Sequence, residues 1–155
     1  MRTMHGWAAA PATRRALALL VAVATLAAGG LSLARGNEEV VEYRDVAVRT
    51  GSGKAATAEQ VCAAVTAAVD AAKAEQKYPW AREGSGNGLV AILQVRMKHT
   101  VRVDVQCAAD KYSVTYKDST NMNFKQKKQE AVIHPYYNVW VKDLVTAIDV
   151  ELARL

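Results

Sequence analysis

The sequence predicts an α+β fold: a two-layer sandwich in which a three-stranded antiparallel meander is covered on one face by two helices, in the order α-β-β-β-α. Three observations predict it. An alanine-rich stretch with apolar residues at helical spacing begins at residue 57, the apolar period changes to two between residues 89 and 117, and helical spacing returns after Pro135. The lengths are mutually consistent, because helices of about 19 or 20 residues and strands of seven to nine residues each span roughly 23 to 30 Å. Two such helices can lie along one face of the sheet and cover it.

Residues 1–34 read as an export signal. Arg2, Arg14 and Arg15 precede an acid-free apolar run over residues 16–28, and Ser32-Leu33-Ala34 presents small residues where a signal peptidase cuts, placing the mature start after Ala34. If uncut, the run would be the chain's one means of membrane attachment. No Cys lies near it, which excludes a lipid-anchored mature terminus. Three of the 20 basic residues and none of the 15 acidic ones fall in this segment, leaving 17 against 15. That near-balance removes the argument for nucleic acid as a partner.

Residues 35–56 are expected to form a loosely ordered leader with one short strand between 40 and 48, and residues 57–155 a single domain. Thr57-Ala58-Glu59-Gln60 fits a capping box and starts the first helix. Val61, Val65, Ala68, Val69 and Ala72 share one face of it, and Tyr78-Pro79 ends it, because a residue before proline is pushed out of helical geometry. The Gly-Ser-Gly-Asn-Gly run at 84–88 reads as a loop. Beyond it lie an apolar strand over 89–95, an alternating strand with Val101, Val103, Val105 and Cys107 inward, and a third with Tyr112, Val114 and Tyr116 inward. A polar stretch then leads to Ile133-His134-Pro135, which opens the last helix with its apolar face on Tyr137, Trp140, Val141, Leu144, Ile148, Leu152 and Leu155.

Cys62 and Cys107 are the only cysteines, and in an exported chain an even pair is most simply one disulfide. Both point into the expected helix–sheet interface. Two buried thiols are the alternative, whereas a zinc site lacks its paired cysteine spacing. With no His/Cys cluster, no metal or other cofactor is expected.

Residues 112–124, YSVTYKDSTNMNF, and 133–144, IHPYYNVWVKDL, resemble a group of small bacterial envelope proteins, often lipoproteins. Its members carry a Tyr-Ser-Ile-x-Tyr-x-Asp-Ser-x-Asn-Leu-x-Tyr stretch followed by Ile-His-x-x-Tyr-Asn-x-Trp-Val. The matching positions are Tyr112, Ser113, Tyr116, Asp118, Ser119, Asn121, Ile133, His134, Tyr137, Asn138, Trp140 and Val141. The group has no assigned activity, so the resemblance implies an envelope location and a shared fold but no reaction. This chain departs from it in lacking the anchoring Cys and adding the internal pair.

Asp118, Ser119 and His134 can be drawn as orienter, nucleophile and base of a small hydrolase, but no nucleophile-elbow pattern surrounds Ser119. Asp, Ser and Asn here equally serve to end a strand by bonding their own backbone. Tyr112, Tyr116, Phe124, Tyr136, Tyr137 and Trp140 are expected to gather as core rather than line a groove. Charge placement is more informative: Arg96, Lys98, Arg102, Lys111, Lys117, Lys125, Lys127 and Lys128 lie in a span holding three acids. The expected function is therefore that of a non-catalytic periplasmic or secreted module, binding an envelope protein or an acidic glycan or lipid through a basic sheet face. A structural accessory subunit of an envelope complex is the remaining alternative.

Overall fold

Alternating apolar residues from Leu89 to Val114 drive one face of a sheet out of water, and in the computed structural model, which describes residues 36–155, that face is the centre of the core. The expected signal segment lies outside the described residues. The chain forms, in order, β1 Glu38–Glu39, β2 Tyr43–Ala47, α1 Ala58–Ala71, β3 Lys73–Ala74, β4 Tyr78–Ser85, β5 Gly88–Val95, β6 His99–Cys107, β7 Lys111–Thr120, β8 Lys125–Lys127, β9 Glu130–Ile133 and α2 Tyr136–Leu152. Six strands make a curled antiparallel half-barrel in the order β2-β7-β6-β5-β4-β3, and three make a separate sheet in the order β1-β9-β8.

The three-stranded α+β sandwich is thus corrected to a mostly β architecture with nine strands and two helices among the described residues. The expected meander is present as β5-β6-β7, but it is the middle of a wider sheet. The first helix is shorter than its alanine content suggests. It opens with the expected capping box, Gln60 N–H donating to Thr57 Oγ1 at 3.2 Å and Thr57 N–H to Gln60 Oε1 at 2.9 Å, and it closes at Ala72. There the amide of Trp80 donates to the Ala72 carbonyl, and the chain turns into β3 so that β4 can bury Trp80. The tertiary burial of one indole outweighs the ~0.5 kcal/mol or less per residue that separates helix propensities of this kind. Gly84 to Gly88 is not a loop: β4 and β5 run into a two-residue turn at Gly86-Asn87, with Gly86 at φ 77° as a tight hairpin requires.

Two strands, β1 and β2, stand in the expected leader. The edge strand β2 pairs with β7, shifting register where Asp45 sits at φ 50°. The helices α1 and α2 pack on each other and on the apolar side of the large sheet, where Val65, Val69, Leu93, Val103, Val114, Leu144 and Ile148 are completely or almost completely buried. Cys62 of α1 and Cys107 at the end of β6 form the expected disulfide, with Cα atoms 5.5 Å apart.

Candidate functional site

A β-bulge decides where the polar residues after Tyr116 point. Arg102 pairs with Asp118 and Val103 with Tyr116, so Lys117 is the extra residue of β7. Lys117 and Asp118 both face solvent, where Lys117 meets Asp104 at 2.9 Å and Asp118 approaches Arg102 at 3.9 Å. Ser119 pairs with the fully buried Val101 and points the other way, its hydroxyl 3.0 Å from the Tyr116 hydroxyl. His134, between β9 and α2, accepts the Tyr136 amide proton at its Nδ1, at 3.3 Å. Asp118, Ser119 and His134 are therefore held by three separate partners and are not assembled into a triad.

The other residues of the two specific stretches hold the chain's path. Asn121 sits at φ 58° and Asn123 at φ 53°, a backbone that Asn tolerates better than most residues, and between them Met122 plugs into the core at 2% exposure. Asn121 Nδ2 donates to the Lys98 carbonyl at 2.7 Å, and the Asn121 carbonyl accepts from His99 Nδ1 at 2.9 Å. Asn138 clamps the β1 region: its Nδ2 donates to the Glu39 carbonyl and its Oδ1 accepts from the Val41 amide. Tyr137 is fully buried, edge-on to Tyr116, which itself stacks on Phe124 at 4.4 Å. Trp140 donates its indole N–H to Glu75 at 2.9 Å.

The basic residues split into two groups. Arg102 meets Glu83 at 2.9 Å, Lys111 meets Asp45 at 2.9 Å, and Lys117 meets Asp104, so the open sheet face is charge-compensated. Arg96 and Lys98 lie instead on the β5–β6 turn, and Lys125, Lys127 and Lys128 on and just after β8. None of these five forms an ion pair with another described residue. Lys125 follows Asn121, which is bonded to Lys98, by four residues, a reach of at most ~15 Å along the chain.

Beside that turn is a cleft of ≈200 Å³ lined by Glu75, Arg96, His99, His134, Tyr136 and Trp140, with Val95 and Met122 completing its wall. Sequence reasoning missed it, since its residues come from four separate segments. His134, Tyr136 and Trp140 form a near-parallel array, with centroids 5.3 and 5.6 Å apart. Arg96 Nε lies 3.4 Å from the Tyr78 hydroxyl, and that hydrogen bond is the main cause holding the phenol below its ordinary pKa. Glu75 and Gln76, then Arg96 and Met97, occupy two turns with both central residues at positive φ, where Asn-Gly is the favoured pair. Of these positive-φ residues Glu75 and Arg96 line the cleft themselves, and Asn121 and Asn123 flank its lining residue Met122.

A larger, shallower depression runs between α1 and the Gly86-Asn87 turn, where Ala58, Ala63 and Ala67 alternate with Glu59, Thr66 and Asp70. Among the described residues no group of three or more His, Cys, Asp or Glu is placed to hold a metal ion, and no helix is long and apolar enough to cross a membrane. No protein-family model, curated protein or solved structure matches the chain.

Proposed function

We propose that this protein is a non-catalytic envelope module that binds an acidic glycan or lipid component at the end of the molecule formed by the β5–β6 turn and β8. One observation carries the reading. Five bases outside any ion pair among the described residues, Arg96, Lys98, Lys125, Lys127 and Lys128, lie on these two segments, while the sheet face that bears Arg102 and Lys117 is neutralised. Lysines on a short edge strand also discourage strand-to-strand aggregation, but that need does not extend to the turn. The disulfide, the signal-like first 34 residues and the resemblance to small envelope proteins support a place outside the cytoplasm.

The test is binding to an acidic polysaccharide over a range of salt. Replacing all five residues by Gln should weaken binding by ten-fold or more and flatten its salt dependence, because exposed charges are screened beyond ~8 Å at physiological ionic strength. Lys117→Gln, on the compensated face, should change it by less than two-fold. Equal loss from both variants, or no binding by the native chain, overturns the proposal.

A further inference from the structure

The geometry points to the cleft between the β5–β6 turn and the start of α2 as a site for one carboxylated sugar residue, stacked on Tyr136 and held by Arg96. This rests on the reading above and names the ligand class at the same end of the molecule. Size is the first argument. At ≈200 Å³ the cleft is below the ~300–1,000 Å³ of sites that enclose a drug-sized ligand, so it takes one ring of a longer molecule whose remainder runs outside.

The donor and acceptor pattern is the second argument. A carbonyl oxygen only accepts, so the His99 Nδ1 that faces the Asn121 carbonyl carries a proton, and in that tautomer Nε2 is the acceptor. His134 is the reverse tautomer: its Nδ1 accepts from the Tyr136 amide, so its Nε2 carries a proton and donates. Glu75 uses Oε1 for the Trp140 indole and keeps Oε2 as a second acceptor. Arg96 adds a planar fork of donors matched to a carboxylate. A phosphate ion offers chiefly acceptors and would leave two acceptors of the cleft unanswered. A sugar acid presents hydroxyls that donate, a carboxylate that accepts and an apolar C–H face.

The third argument is the platform. Tyr136 is 53% exposed yet fixed in the array with His134 and Trp140, so a flat apolar surface with a polar tip is presented without an ordering cost on binding. Backbone held in sparsely populated conformations around a cleft is what pre-organised binding demands.

The experiment is titration of the full chain, followed by NMR, with a uronic-acid disaccharide, the matching neutral disaccharide and inorganic phosphate. The disaccharide acid should bind and shift the signals of His99, Tyr136 and Trp140, at least ten-fold more tightly than the neutral sugar, with phosphate weaker still. Tyr136→Ala and Arg96→Gln should each reduce binding ten-fold or more, while Lys117→Gln, on the compensated sheet face, should leave it within two-fold. Phosphate binding as tightly as the sugar acid overturns the ligand class. No binding of the disaccharide acid, with lysine-dependent binding of the acidic polysaccharide intact, overturns the cleft but not the basic end. Loss of both overturns both.

Discussion

Two buried tyrosines show how one hydroxyl group can stabilise and another burden the same core. Tyr112 donates to Asp149 Oδ1 at 2.7 Å, tying β7 to α2, whereas the Tyr137 hydroxyl is buried and has no partner among the described residues. Tyr112→Phe should cost about 1 kcal/mol, discounted because Asp149 is exposed, and Tyr137→Phe should leave stability unchanged or raise it by up to ~1 kcal/mol. Urea unfolding of the two variants checks both signs, and a clear loss from Tyr137→Phe would mean that its hydroxyl is satisfied. Burial is the main cause that raises both phenols well above their ordinary 10.0, helped by Asp149 at Tyr112 and by Glu42 at Tyr137. The unfolded chain releases these protons near pH 10 while the folded chain keeps them, so stability is independent of pH through these two groups below pH 10 and falls as pH rises beyond it. Phenolate absorbance from these two residues should accordingly appear together with loss of the fold. The same scale explains the polar run at 117–123, which supplies a bulge, an inward Ser and two left-handed Asn that let Met122 enter the core.

At the scale of elements, capping and alternation were legible because each is a local pattern with a local cause. The Thr57 box appears where the sequence places it, and Thr57→Ala should cost about 1 kcal/mol in thermal unfolding with no change in the folded core. An unchanged melting temperature would mean that the first turn of α1 is held by packing alone. β6 was equally legible: Val101, Val103 and Val105 are all buried, while Arg102 and Asp104 are partly exposed and Gln106 is exposed. What stayed hidden were elements whose residues carry no period of their own. β3 has two residues and follows an alanine-rich helix, β4 ends in Arg-Glu-Gly-Ser, and β8 reads Lys-Gln-Lys with all three side chains in solvent. Such strands form because a neighbour supplies an open edge, as β5 does for β4 and β9 for β8, and no pattern within the strand reports that neighbour. The cleft was hidden for the same reason. His134 and Trp140 were singled out in one segment, but Glu75, Arg96 and His99 reach them only through turns of the larger sheet.

For the molecule as a whole, the Cys62–Cys107 bond joins the helical layer to the middle of the half-barrel, and it closes a loop of 45 residues. That loop contains α1 from its second turn onward, β3, β4, β5 and β6, so the bond restrains the part of the chain in which the largest misreading occurred. The strands within it pair with their sequence neighbours through short turns, whereas the contact of α1 with β6 is non-local and carries the loop-closure cost in an unlinked chain. In the chain-entropy account, linking the two cysteines removes about 4 kcal/mol from the unfolded state, which is a large share of the ~5–15 kcal/mol that keeps a domain of this size folded. Reduction, or the double change Cys62→Ser and Cys107→Ser, should lower the melting temperature by roughly 15 °C, given the unfolding entropy of ~120 ordered residues. Because neither cysteine lines the cleft or is one of the five bases, ligand binding by the reduced but still folded chain at low temperature should equal that of the oxidised chain. A melting temperature that does not move would show that the helix–sheet interface holds without the bond. Binding lost on reduction while the fold persists would show that the bond also shapes the β5–β6 turn, which sits on the loop it closes.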